Sequence, residues 1–403
     1  MHPLYSLGAA LIAWQTTWFA SPQPTWNHDF ILPTNLPASL AGQTVRETVR
    51  TSVGGRRVRV QLSNRYGREP LVIGTVHIAL LREDSVTVAA SDRAVTFNGR
   101  ASITVAPGAL ALSDPVDFNV GPLSRVAVST YFPAYTPLQT FHWGDQQTAL
   151  VGAGDVTAQV RFSPVQTFKG RVFLTGLLVD TDHMPRTVIA FGDSITDGNG
   201  STPDRNRRWP DALAARLAGR GVAVINAGIS GARLLQDKMG VNALARFEQD
   251  VLGQPGEKTV IVLIGINDIG WPGSPFAPAE RAITADELIA GFQQLITLAR
   301  LHRVRIVGAT LLPFEGALAG TPFEGHFSPA KERVRLAVNR WIRSAGAFDA
   351  IIDTDALLCD PTRPARLLPA FDSGDHLHLG DAGYQAMADA IDLETLLSDE
   401  RNP

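Results

Sequence analysis

No stretch of the first 180 residues repeats with the period of a helix, whereas everything after Pro185 alternates between strand and helix periods. That change of rhythm constrains the chain more than any single motif. Val45-Arg46-Glu47-Thr48-Val49-Arg50 and Val58-Arg59-Val60-Gln61-Leu62 switch between apolar and polar at nearly every step, the pattern of strands with one buried face. Residues 71–81, 94–97, 103–105, 125–132, 156–162 and 171–179 read as further strands. Turn signals separate them: Gly54-Gly55, Asn64-Arg65-Tyr66-Gly67, Asn98-Gly99, Pro107-Gly108 and Ser113-Asp114-Pro115. Short strands at this spacing predict an all-β sandwich or jelly roll.

Thr181-Asp182-His183-Met184-Pro185 reads as a linker. Beyond it, strands are expected at 187–191, 222–226, 259–264, 304–311 and 350–354, alternating with helices at 209–218, 243–252, 284–302, 328–344 and 382–397. The fourth helix has the clearest ends, with Ser328 as N-cap, Pro329 in the first turn and Gly346 just past the last. Repeated strand–helix units require right-handed crossovers and a parallel sheet covered on both faces. A chain of 403 residues exceeds one ordinary core, so two domains are expected, at 1–183 and 184–403.

A net charge of −3 without any block of Lys or Arg gives no reason to expect a nucleic-acid partner. Cys359 is the only cysteine, which excludes an internal disulfide and a Cys-based zinc site. Residues 4–14 are apolar but too short to cross a bilayer, so no integral membrane segment is expected. They read either as the remnant of a secretory signal, hence a secreted or periplasmic protein, or as a segment packed on the first domain.

The chemistry-bearing residues follow the strands of the second half. After the first strand comes Gly192-Asp193-Ser194, after the second Asn226-Ala227-Gly228-Ile229-Ser230-Gly231, and after the third Gly265-Ile266-Asn267-Asp268. In a parallel sheet these loops share one edge, where open α/β sheets place their ligands. A serine hydroxyl, a glycine N–H and an asparagine amide together suit acyl transfer, as nucleophile and oxyanion donors. Near the C-terminus, Asp375 and His378 stand three apart in Gly374-Asp375-His376-Leu377-His378 and supply a base with its orienting carboxylate. Ser194 lies outside a Gly-x-Ser-x-Gly frame, so a nucleophile elbow is not supported.

With these four blocks in this order, the chain resembles the SGNH, or GDSL, hydrolase superfamily over roughly residues 187 to 395. More narrowly it is similar to the bacterial arylesterase/acylhydrolase branch that includes xylan-cluster esterases. Ala245-Arg246-Phe247, Ile266-Asn267-Asp268-Ile269-Gly270 and Ala347-Phe348-Asp349 carry that likeness. That branch has a β-rich N-terminal domain, which Ser52-Val53-Gly54-Gly55 and Leu62-Ser63-Asn64 resemble. The resemblance implies a flavodoxin-like three-layer αβα domain and a Ser194, His378, Asp375 triad that uses no metal or other cofactor. It also implies an oxyanion hole of the Ser194 and Gly231 N–H groups and the Asn267 amide.

Several alternatives stay open at this point. Gly228 competes with Gly231 as the donor, and His376 competes with His378. His376-x-His378 also has the spacing of a metal pair on a strand. Asp193 reads as a cap; His142 reads as a core or surface residue, or as a visitor to the site from the β half. Arg233 and Trp271 read as rim residues or as pocket lining. The expected function is a carboxylic-ester hydrolase acting on a small-molecule or glycan ester. Its rivals are a carbohydrate O-acetylesterase and a carbohydrate-binding β-module fused to a silent hydrolase fold.

Overall fold

Alternating burial builds the first half of the protein. The computed structural model describes residues 13–28 and 30–398, so most of the apolar segment 4–14 lies outside the described residues. One antiparallel sheet runs in the order β1 (Ala13–Phe19), β10 (Leu174–Thr181), β3 (Gly55–Ser63) and β5 (Leu110–Leu112), with β6 (Val116–Val120) also pairing to β3. A second sheet contains β9 (Gln166–Val172), β8 (Thr140–Ala153), β2 (Gln43–Arg50), β7 (Arg125–Phe132) and β4 (Val76–Glu83) in that order. Val58, Val60 and Leu62 from one sheet and Val126, Val128 and Phe132 from the other share one core. Their removal from water is the main force holding the two sheets together.

Several details depart from the pattern read in the sequence, among them strands at Ala13–Phe19, Leu110–Leu112 and Val116–Val120 where none is expected. The run 71–81 breaks at Gly74 into strands Leu71–Ile73 and Val76–Glu83. A Cβ on Gly74 would come 2.8 Å from the Tyr131 ring, which would have to move to admit a larger residue. Residues 156–162 form no strand. Their carbonyls at Thr157 and Gln159 instead accept from the Arg46 guanidinium (3.1 and 2.7 Å), which also sits over the Phe162 ring. Finally, β8 has no counterpart in the sequence reading because a bulge interrupts its alternation. Its pairing with β9 jumps from Trp143 to Thr148, and Gly144, Asp145 and Gln146 all have positive φ.

The second half is a five-stranded parallel sheet: β12 (Val222–Gly228), β11 (Arg186–Gly192), β13 (Glu257–Leu263), β14 (Arg305–Ala309) and β15 (Ala350–Ile352). In chain order this is 2-1-3-4-5, the flavodoxin-like arrangement. The flanking helices include α2 (Trp209–Leu217), α3 (Ala243–Phe247), α5 (Ala285–Leu301), α6 (Pro329–Ser344) and α7 (Asp381–Asp389). Ser328 caps α6 through the Lys331 N–H, and Thr284 with Glu287 closes a capping box on α5. The last expected helix is two: after α7 the chain restarts at Leu393–Leu397, where Asp392 accepts from the Glu394 and Thr395 N–H groups. No helix among the described residues is long and apolar enough to cross a membrane.

The halves are joined by more than a linker. Gln15 on β1 donates to the Arg186 carbonyl at 2.6 Å, and Phe19 at the end of β1 is buried in the core of the parallel sheet. The first described strand therefore belongs to one sheet by its backbone and to the other core by its last side chain.

Candidate active site

Register decides which residues meet. Gly192 at the end of β11 lies beside Gly228 on β12 and Leu263 on β13. Ser194, Gly231 and Asn267 follow those positions by two, three and four residues, so all three leave the sheet at one edge. Ser194 opens a four-residue helix, α1 (Ser194–Asp197). Asp193 caps it by accepting the Ile195 N–H at 3.0 Å, and Gly198 ends it in the left-handed region at φ 104°. Burial pushes the Asp193 carboxyl up to about 7 against the pull of that N–H.

Gly228 makes room for α1, because a Cβ there would lie 2.4 Å from the Asp197 nitrogen. Beneath the turn, Arg246 on α3 donates to the Gly192 and Ala227 carbonyls, each at 2.7 Å, and pairs with Asp250 at 2.8 Å. This buried cation holds the ends of β11 and β12 together. Sequence reasoning assigned Arg246 no role; an Arg and an Asp four apart in one helical stretch were the available signal.

The loop before α7 brings a base to the serine. His378 Nε2 accepts from Ser194 Oγ at 2.8 Å, and His378 Nδ1 donates to Asp375 Oδ2 at 2.6 Å. The other carboxylate oxygen accepts the Leu377 and His378 N–H groups at 3.0 and 2.8 Å and the Ser373 hydroxyl at 3.1 Å. Burial alone would raise the Asp375 carboxyl; the His378 ring and these N–H groups hold it well below the usual carboxylate range. His376 turns to Asp372 instead, so the two histidines of the His-x-His pair serve different carboxylates.

Across from the hydroxyl stand donors without acceptors. Neither the Ser194 nor the Gly231 N–H makes a hydrogen bond among the described residues. The Asn267 amide donates once, to the Ala232 carbonyl at 3.0 Å, which orients the side chain and leaves its second N–H. The Gly228 N–H is taken by Asn226 Oδ1 at 2.8 Å. Gly231 sits at φ 74°, and a Cβ on it would come 2.5 Å from Met239 Sδ, so backbone alone fits there.

The surroundings come from both halves of the chain. Trp271 is buried, stacked on Phe276 at 5.0 Å between centroids and 5.9 Å from Phe30 of the β half. Arg233 lies 4.9 Å over the Trp271 ring while holding Glu280 and the Asp237 carbonyl. Both residues are thus packed behind the Gly231 loop and are not rim residues. His142, from β8, is also buried, with Nδ1 2.8 Å from the Ser21 carbonyl and Nε2 2.9 Å from Asp197 Oδ1. Its ligand atom lies near those of Asp145 and Asp197, a grouping able in principle to hold a cation. Arg171 and Arg208 already neutralise Asp145, and both His142 nitrogens are engaged, so the group reads as an ion-pair network.

Comparison with known proteins bears on the same region. Residues 190–386 match the model of the GDSL-like lipase/acylhydrolase family. None of the curated proteins matches the sequence. Similar solved structures include the Mycobacterium smegmatis aryl esterase, 19% identical over 51% of this chain and 95% of that one, with a TM-score of 0.40. Another is a carbohydrate acetylesterase from Sinorhizobium meliloti, 20% identical over 51% of this chain and 95% of that one (TM-score 0.40). A GDSL-like lipase from Bacteroides thetaiotaomicron is 20% identical over 51% of this chain and 85% of that one (TM-score 0.38). From the strand that leads to Ser194 through the helix that follows His378, the chain carries a region that matches the GDSL-like lipase/acylhydrolase family.

Proposed function

We propose that the protein is a carboxylic-ester hydrolase that works through an acyl-enzyme on Ser194. The observation that carries this reading is the unbroken relay from Ser194 Oγ to His378 (2.8 Å) to Asp375 (2.6 Å) beside three donors at one sheet edge. Ser194 Oγ attacks the ester carbonyl carbon as His378 Nε2 takes its proton. Asp375 keeps the other ring proton on Nδ1 and stabilises the imidazolium that forms. The carbonyl oxygen becomes an oxyanion held by the Ser194 and Gly231 N–H groups and the free Asn267 N–H. Collapse expels the alcohol, which receives the proton from His378. A water activated by the same ring then releases the acid and restores the serine.

An organophosphonate tests the reading directly. A single covalent adduct mapped to Ser194, with ester turnover lost in proportion, is the expected result. Labelling elsewhere with full loss of turnover overturns the assignment. A panel of aryl esters and acetylated glycans addresses the substrate: preference for the glycans makes the protein a carbohydrate O-acetylesterase with the same chemistry. Binding of the glycans without turnover of any ester defeats the hydrolase reading.

A further inference from the structure

His142 stands in the β-sandwich, yet it is bonded to the helix that begins with Ser194. Its Nδ1 faces the Ser21 carbonyl at 2.8 Å and its Nε2 faces Asp197 Oδ1 at 2.9 Å. Both partners are acceptors, so both ring nitrogens must carry hydrogen, and the ring is held as an imidazolium. Burial opposes that charge, but Asp197 and Asp145 beside the ring raise its affinity for the proton. The other oxygen of Asp197 accepts both the hydroxyl and the backbone N–H of Ser230, the latter at 3.3 Å. Asp197 thus holds Ser230 by both its N–H and its side chain, and the Ser230 Cα between them carries the next peptide, the one with the Gly231 N–H.

The bulge in β8 exists at this contact. At Gly144 a Cβ would point at Asp197 Oδ2, Asn199 Oδ1 and Ser230 Oγ, each 3.7 Å away. Gln146 in the same bulge donates to Asn199 Oδ1 at 3.1 Å. Asp145 between them pairs with Arg171 of the sandwich and with Arg208, the cap residue of α2. The ion pairs hold the bulge against the site, and His142 transmits its position to Asp197.

We propose that His142 is a positioning residue for the reaction: through Asp197 it fixes Ser230 at its N–H and side chain, and so sets the direction of the Gly231 N–H in the next peptide, so the β-sandwich completes the oxyanion hole. The inference rests on the esterase reading given above. An oxyanion donor acts mainly in the transition state, so its misplacement lowers kcat and leaves KM alone.

The experiment is steady-state kinetics on an aryl ester with active sites counted by organophosphonate, so that unfolded protein does not enter kcat. His142→Leu is expected to lose about tenfold or more in kcat per counted site with KM within about twofold. His142→Gln, which can place an N–H near the Nε2 position, is expected to recover most of the loss. Ser230→Ala leaves the interdomain ion pairs untouched and is expected to lower kcat in the same way. Combined with His142→Leu it should cost little more, because both act through Asp197. Wild-type kcat per site in Ser230→Ala overturns the proposal even if His142→Leu fails to fold. Failure of His142→Gln to recover, alongside fully additive losses, overturns it too. A Ser194→Ala control separates the two levels: its activity would sink the esterase reading, whereas its silence with unaffected His142 variants sinks only this inference.

Discussion

Asn267 and Asp268 are neighbours on one short helix, α4 (Ile266–Gly270), and they hold the same loop in opposite senses. Asn267 donates to the Ala232 carbonyl at 3.0 Å, while Asp268 accepts the Leu234 and Leu235 N–H groups at 2.7 and 3.0 Å. Only the amide retains a donor for substrate. Asn267→Ala is therefore expected to lower kcat by about 10²–10³ with little change in KM, the cost of one lost oxyanion donor. Asp268→Ala leaves the buried Leu234 N–H and the half-buried Leu235 N–H without acceptors and should act chiefly on stability, by about 1–3 kcal/mol for the buried one. Kinetics and denaturant titration of both variants check the division. A raised KM with unchanged kcat in Asn267→Ala would make that residue a ground-state contact instead.

Ser194→Ala is expected to abolish ester turnover and leave thermal unfolding nearly unchanged, since what the change removes is one hydroxyl bonded to His378. His378→Ala should lose about as much, and the double variant no more than either, because members of such a relay act as a unit. Residual turnover near wild type in Ser194→Ala removes it from the nucleophile role.

Gly228→Ala tests the close approach of α1 to β12. The added Cβ meets the Asp197 nitrogen at 2.4 Å, so α1 must shift or the strand must give. A loss of about 1–3 kcal/mol in stability is expected from overpacking, accompanied by a fall in kcat because Ser194 moves with its helix. Unaltered kcat with unaltered stability would show that the contact relaxes freely.

Glu47 on β2 predicts a pH dependence of stability. Burial pushes its carboxyl from 4.5 up to about 8, against the pull of Arg171 and of the Val172 N–H. The folded protein then keeps a proton that the unfolded chain releases above pH 4.5, so stability from this group falls as pH rises from 4.5 to about 8. Glu47→Gln carries the neutral amide at every pH and should gain on wild type across that window, converging below it. Denaturant titrations at acid and alkaline pH check the sign. His326, buried with its affinity for a proton lowered to about 3, works the other way: its contribution is lost as pH falls below its ordinary 6.5.

A chelator should leave turnover unchanged. His376 and His378 turn to Asp372 and Asp375 respectively and so do not converge on one point. Activity lost in chelator and restored by a divalent ion would overturn the relay as the source of the base.

Much of the second half was legible because its information is local. β-branched runs ending at Gly192, Gly228 and Leu263 define strands whose parallel pairing needs no further instruction, and loops after paired strands must meet at one edge. The three-residue interval from Asp375 to His378 is likewise a property of one turn. Other features depended on packing between distant segments. Which histidine faces Ser194 was decided by packing, Asp372 holding the exposed His376 ring while His378 reaches Ser194 Oγ, and Asn226 takes the Gly228 N–H. The strand Thr140–Ala153 hid behind a polar bulge whose conformation is set by ion pairs to Arg171 and Arg208. Whether His142 is a core or surface residue or reaches the site is open in the sequence, and Ser21 and Asp197 come to its two nitrogens from 121 and 55 residues away. Periodicity records how a segment meets water and its own neighbours, whereas a buried hydrogen bond between remote residues depends on where two separate cores come to rest against each other. That docking is written in no local pattern, and only the tertiary structure decides it.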